Sequence, residues 1–404
     1  MLSEAPQSSL LTAYEYPHYI KYMGSKSKIM DFVINGINEV YAGGTILDLF
    51  AGSASLAGAL RNQVPVHSND IQEYSAVLAQ AYLTAYKGKN APTADDLVQK
   101  AECIAKKHLY LITDRLQYKD IESLQHFNDV EKNNRKLIEL DFNHTYHLFT
   151  KNYAGTWWTA LQCIWIDAFR EVADEYKGKP IYPVILTSLM YAMAYTSQGT
   201  GHYAQYRDAK NIKSMKDIMI YRRRDLMHYF VRKYNNALID IPATKAQQKH
   251  ITTSLDFVDC LKSFAGGTVY ADPPYCFVHY SRFYHAIETL VKYDYPELQI
   301  KGGKLVKGRY REGRHQSPFC IRTKVSKAFR DMFEGVKSTG SNLVLSYSKN
   351  GMISMDTLEA LAVDVFGKDY TLDMVATDYK HMTLGRQGDR HRDVEECLVL
   401  AKHR

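Results

Sequence analysis

The chain has 404 residues, 46% of them hydrophobic, with a net charge of +7 and a pI near 8.8. That is enough for two domains, or for one large α/β domain with an insertion, and enough apolar content to build a core without covalent staples. The six cysteines (103, 163, 260, 276, 320 and 397) contain no Cys-x-x-Cys pair, which argues against a zinc site or a disulfide framework and predicts a reducing, cytoplasmic setting with no metal.

The first seventeen residues read as a loose leader with no signal-peptide pattern. Apolar spacing at Ile29, Phe32, Val33, Ile37 and Val40 predicts a helix over 28–40, stopped by Gly43-Gly44. Thr45 to Phe50 predicts a strand, Ala51 to Ser55 a turn of small residues, and Leu56 to Leu60 a helix. Val64 to Asp70 predicts a second strand ending in an acid, so the chain opens with a β-α-β unit of a doubly wound sheet. From about 75 to 235 helical patterns dominate. The most apolar stretch there, Tyr182 to Tyr195, is too short and too rich in Ser and Thr to cross a membrane, and it predicts a buried helix. Strand patterns return at 249–253, 268–271, 342–346 and 396–401, so the helical block is inserted within an α/β domain. Lys301 to Arg314 is glycine-rich and basic and reads as a mobile loop spanning about 295–318.

Four constellations carry chemistry. Asp272-Pro273-Pro274-Tyr275 follows a short strand; two prolines cannot continue a ladder, so they make a stiff exit with a carboxylate before it and a ring after it. Such a corner suits an amino group and the flat face of a base. In the turn Asp48 to Ser55, Phe50 and Gly52 let a ligand approach the backbone, and Asp70 at the next strand end can accept ribose hydroxyls. The turn lacks the Gly-x-Gly-x-x-Gly run of a pyrophosphate cradle, so a cofactor with a ribose but no phosphates fits, S-adenosylmethionine being the obvious candidate. Tyr22 and Lys26, in Lys-Tyr-Met-Gly-Ser-Lys, offer a ring and a cation that could meet a methionine carboxylate, or Lys26 is simply solvated. Asp256 and Phe257 could bind an adenine amine and cover its face, or Asp256 caps the following helix.

In this order the motifs resemble the Dam-like, alpha-group adenine DNA methyltransferases. The resemblance covers residues 19–80 and 250–400, and the insertion by position only. It implies a Rossmann-like, S-adenosylmethionine-dependent sheet (1–80 and 240–404) with a helical target-recognition insertion (81–239), acting on double-stranded DNA and in some cases paired with a restriction endonuclease. It further implies that Tyr22, Lys26, Phe50, Gly52, Asp70, Asp256, Phe257 and Asp272 contact the cofactor. Asp272 and the Pro273 carbonyl would accept the two N–H bonds of a flipped adenine, with Tyr275 stacked on it. One departure is Ala54, where the family often has glycine; alanine is acceptable there if φ is negative. Cys276 and the histidines His279 and His285 read as ordinary structural residues.

For DNA contacts, Arg222, Arg223 and Arg224 offer charge for phosphates, or form a solvated helix face, and Gln198, His202, Gln205 and Arg207 offer groups for base edges. The rival readings are transfer to the cytosine amine, to adenine in RNA or to a protein glutamine, and an inactive DNA-binding module. Asp272 in the first position favours adenine.

Overall fold

Short buried strands frame the computed structural model, which describes residues 10–83, 91–199, 201–240, 248–275, 277, 279–381 and 392–404, with the backbone alone at 377–381 and 392–395. β1 (Ile46–Asp48), β2 (Val66–Asn69), β3 (Ile251–Thr253) and β4 (Thr268–Ala271) run parallel. β5 (Ile300–Lys301) and β6 (Lys304–Leu305) form a separate hairpin. β7 (Asn342–Ser348) extends the parallel set, and β8 (Tyr370–His381) with β9 (Arg392–His403) closes it as an antiparallel pair. The seven-stranded order is β3-β2-β1-β4-β7-β9-β8. The Rossmann-like sheet expected from the resemblance is therefore the one observed; β8, unread in the sequence, supplies its edge.

The helices follow from local signals. α1 (Met30–Val40), α2 (Ser55–Leu60) and α3 (Glu73–Leu83) belong to the opening β-α-β unit. Then come α4 (Ala94–His108), α5 (Leu124–Arg135), α6 (Leu148–Tyr153), α7 (Ala160–Asp174), α8 (Tyr182–Thr196), α9 (Ile212–Arg222) and α10 (Leu226–Asp240). Capping boxes at Thr93–Asp96, Thr159–Gln162 and Asn211–Ser214 start three of them by satisfying otherwise orphaned amides. α11 (Phe257–Ser263) links β3 to β4, α12 (Tyr280–Phe283) and α13 (His285–Lys292) follow β4, and α14 (Val325–Ser338) and α15 (Met355–Phe366) flank β7.

Strand alternation sorts the core onto two faces. Ile46, Val344, Leu398 and Leu400 point toward α1 and the helical block. Leu47, Leu343, Leu345 and Val399 point toward α11, α14 and α15, where Phe329, Met332 and Phe333 meet them. In register, Asp48 lies opposite Ser68 on one side and Tyr270 on the other, so β1, β2 and β4 end together. Their carboxyl ends open a crevice where the strand order reverses, the usual ligand position in such sheets.

The helical unit is built from two chain segments. The amide of Tyr203 donates to Phe283 O at 2.6 Å, and Arg170 Nε to Leu290 O at 2.8 Å. Arg309, 5% exposed, donates to the carbonyls of Asn152 and Arg135. Arg311 forms a bidentate pair with Asp294 at 2.7 and 2.6 Å. The stretch read as a loose basic loop is thus a hairpin whose stem is anchored on the helices, and two of its arginines serve that anchoring.

Candidate active site

Each catalytic candidate sits at a strand end or at the turn beyond it. Asp48 ends β1, Asp70 follows β2, Asp256 caps α11 after β3, and Asp272 to Tyr275 leave β4. All of them, with Tyr22, Lys26, Phe50, Gly52 and Phe257, line one cavity of about 1160 Å³ including its open mouth. Two aromatic walls bound it. Phe50 packs edge-on to Phe319 at 5.4 Å and lies 5.9 Å from Phe257. Opposite, Tyr22 stacks on Tyr284 at 4.6 Å and on Tyr280 at 5.5 Å.

The turn after β1 explains its small residues. Gly52 has φ +52°, and a Cβ there would lie 2.9 Å from the Tyr22 hydroxyl. Its amide donates to Asp70 Oδ2 at 2.9 Å, and the Gln72 amide donates to Oδ1 at 2.9 Å. The carboxylate is thereby aimed and keeps lone pairs on both oxygens. Burial raises its pKa to about 6 against those two bonds. Ala54 has φ +56°, contrary to the expectation of a negative angle. The left-handed strain, roughly 1–2 kcal/mol, is offset by a fully buried methyl worth about 0.8 kcal/mol and by the smaller chain entropy alanine loses relative to glycine.

Lys26 is not solvated. It is 5% exposed, and its ammonium lies 3.1 Å from Asp272 Oδ1 and 2.8 Å from Glu396 Oε1. It also donates to the Tyr275 hydroxyl at 3.2 Å. Two protein carboxylates thus already neutralise this cation where it lines the cavity. Glu396 is fully buried and also accepts from Ser346 Oγ at 2.5 Å. Burial raises the Asp272 pKa to about 6, Lys26 opposing the shift and Glu396 adding to it. Burial, with the charges of Asp272 and Asp70, pushes Asp48 well above the carboxylate range, and its Oδ1 has no hydrogen-bond partner among the described residues. Among the described residues the cavity therefore holds an excess of acids over its one, already paired, lysine. That suits a ligand carrying positive charge and vicinal hydroxyls, and disfavours a pyrophosphate. Asp256 does cap α11, its Oδ1 accepting from Val258 N at 3.0 Å, while also lining the cavity beside Phe257.

The residues expected to read DNA do not form one group. Arg222 is buried, with Nε and Nη2 on Glu131 at 2.7 and 2.9 Å and a third bond to Thr156 O at 2.7 Å. Its charge is used inside the helical unit. Gln198, 1% exposed, donates to Thr156 O at 2.6 Å and Arg207 O at 3.1 Å, so it braces a turn and does not face a groove. His202 stacks on Phe283 at 4.6 Å, and Arg207 pairs with Asp217. Arg224 donates to Tyr195 O, whereas Gln205 and Arg223 are exposed. His285 is fully buried and bonded to Tyr203 O at 2.9 Å, a structural role as expected; His279 lines the cavity mouth; Cys276 lies outside the described residues.

Sequence reasoning missed Asp48 and Glu396 as members of the site. Each is an acid in an otherwise apolar buried strand, Ile46-Leu47-Asp48 and Glu396-Cys397-Leu398-Val399, and that anomaly was the available signal. No cluster of potential metal ligands occurs among the described residues, and no described helix is long and apolar enough to cross a membrane.

The model of one family, D12 class N6 adenine-specific DNA methyltransferase, matches residues 22–343. Modification methylase LlaI of Lactococcus lactis subsp. lactis is 23% identical over 391 residues, 95% of this chain and 55% of its own. Modification methylase StsI of Streptococcus sanguinis is 22% identical over 397 residues, 95% of this chain and 52% of its own. Type II methyltransferase M.NlaIII of Neisseria lactamica is 23% identical over 385 residues, 92% of this chain and 95% of its own. The chain thus spans about half the length of the first two relatives and nearly all of the third.

Proposed function

Because the chain belongs to the D12 class N6 adenine-specific DNA methyltransferase family, we propose that it methylates the exocyclic amine of adenine in double-stranded DNA, with S-adenosylmethionine as donor. The observation that carries this reading is the shared cavity: Asp70 and Asp272, from different strands, face the same space. Its acid-rich lining and the unpartnered Asp48 Oδ1 suit the cation and the ribose diol of that donor. Asp70 would take the ribose hydroxyls, Asp256 and Phe257 the adenine edge and face, and Phe50, Gly52 and Tyr22 the floor. When bound, the cofactor supplies an electrophilic methyl group on a sulfonium.

The chain's own residues prepare the nucleophile. The amine of adenine is weakly nucleophilic because its lone pair is delocalised into the ring. Asp272 and the Pro273 carbonyl accept its two N–H bonds, which favours a pyramidal nitrogen with a free lone pair. Lys26 is a positioning residue here: paired with Glu396, it fixes Asp272 Oδ1 and keeps the carboxylate ionised despite burial. It also anchors the Tyr275 hydroxyl, leaving that ring along the cavity for the target base. The base must leave the duplex, at a cost of a few kcal/mol. We assign target recognition to the helical unit, extending the insertion at 81–239 by the returning segment 280–312. The modification-methylase names of the relatives support a place beside a restriction endonuclease.

The test is to incubate unmethylated duplex DNA with the protein and S-adenosylmethionine, digest to nucleosides and analyse by mass spectrometry. N6-methyladenine is expected. Methylated cytosine alone, or methylation confined to RNA, would overturn the assignment.

A further inference from the structure

We propose that the face shared by α8 and α10, together with Lys21, docks the DNA sugar–phosphate backbone next to the cavity mouth; this rests on the reading of duplex DNA as the substrate. The face interleaves cations with tyrosines. Lys21 Nζ sits 4.3 Å over the Tyr195 ring, and Arg232 lies 5.8 Å from Tyr191 and 5.4 Å from Tyr229. Arg232 also donates to the Tyr191 hydroxyl at 2.7 Å, and Arg224 lies 5.9 Å from Tyr229. The rings form a continuous ridge, Tyr191 to Tyr195 at 4.4 Å and Tyr195 to Tyr229 at 5.4 Å.

Among the described residues none of Lys21, Arg224, Arg232 or Lys233 forms an ion pair, although other cations of the helical unit do, as in Lys100–Glu175, Arg207–Asp217 and Lys307–Asp208. The cluster is also self-repelling. After burial, the charge of Arg224 depresses the Lys21 pKa. Lys233 is lowered to about 8 by burial and by Arg232, against the pull of Asp240. Like charges gathered with no acid in ion-pair contact among the described residues, Asp240 acting on Lys233 only at longer range, are stabilised on a surface of half-exposed rings by a polyanion that offers both phosphates and flat sugar or base faces. Position supports the same occupant. Lys21 directly precedes Tyr22, whose ring covers Gly52 at the cavity wall, so a phosphate held there lies beside an extruded base.

The test measures binding of a fluorescent 30-base-pair duplex to the full chain across a KCl series, for wild type, Arg232→Gln, Lys21→Gln and, as control, Lys100→Gln. Each cluster substitution should flatten the plot of log affinity against log salt by about 0.9, equivalent to roughly eightfold weaker binding at 0.1 M salt. The control should match wild type. Unchanged slopes in both cluster variants would overturn the proposal, as would a loss seen with single-stranded RNA but not with duplex DNA. If a variant melts lower than wild type, Arg232→Lys decides: a restored slope supports the phosphate contact and an unrestored one overturns it. If the wild type methylates DNA while both variants keep its salt slope, this surface alone is wrong. If the wild type neither methylates nor binds duplex DNA, the parent reading is wrong.

Discussion

Replacing Lys26 by methionine removes the one cation that Asp272 and Glu396 share. The ammonium lies 3.1 and 2.8 Å from the two carboxylates. At an effective dielectric of about 20, each attraction is worth roughly 5 kcal/mol. Lost in full, one such attraction would raise a carboxyl pKa by about 4 units, which sets a ceiling that water entry and relaxation lower. In the wild type, Asp272 with a pKa of about 6 must ionise before it can accept the amine, so single-turnover methyl transfer should rise with pH through that value. In Lys26→Met the rising limb should move up by at least one unit. The folded protein should also lose about 3 kcal/mol at neutral pH, because the fully buried Glu396 and the partly buried Asp272 remain without a counter-ion. The sign of the pH effect follows from the raised pKa. A carboxyl titrating higher in the folded than in the unfolded state favours folding at low pH, and that advantage is lost as pH rises. The stability deficit of Lys26→Met should therefore shrink at pH 5 and widen at pH 8. Adding Glu396→Gln should recover part of both effects. A pH profile of Lys26→Met that coincides with wild type would refute the argument that Lys26 sets the ionisation of Asp272.

Two further outcomes follow from the geometry. Arg222→Met should leave the buried Glu131 with only the 3.5 Å contact to Arg135 and the Tyr118 hydroxyl, lowering stability by about 3 kcal/mol in chemical denaturation, while the salt slope of DNA binding stays at the wild-type value; a flattened slope would restore Arg222 to the DNA interface. Gly52→Ala should strain a left-handed residue by about 1–2 kcal/mol and crowd the Tyr22 hydroxyl, so S-adenosylmethionine should bind about tenfold more weakly by calorimetry with DNA affinity intact. Equal cofactor affinity would mean that Gly52 is not under the cofactor.

The parts of the site that were legible in the sequence are those made by local physics. A continuous apolar run ended by an acid marks a central parallel strand, and β1 and β4 are such strands, with Asp70 and Asp272 just past strand ends. A diproline can only leave a ladder, so the tetrapeptide was placed correctly at the end of β4. What escaped depends on partners distant in the chain. Lys26 read as a cofactor contact, or as a solvated lysine, and its pairing with Glu396 was not legible, because Glu396 is contributed by β9 near the opposite end of the sequence, beyond the region the family model covers. Arg222 looked like one of three surface arginines, yet Met215, Ile218, Met219 and Arg222 recur at helical spacing on the buried face of α9, and that periodicity singles it out. The arginines at 309 and 311 carry no such pattern; their anchoring is set by tertiary contacts with the helical unit and with Asp294.

The most direct test of the catalytic claim separates binding from transfer at a single side chain. Wild type and Asp272→Asn are compared for binding of S-adenosylmethionine by calorimetry and for single-turnover transfer of a labelled methyl group to adenine in duplex DNA. The account predicts that the variant binds the cofactor within a few-fold of wild type but transfers no detectable label. Transfer at the wild-type rate by Asp272→Asn would contradict it.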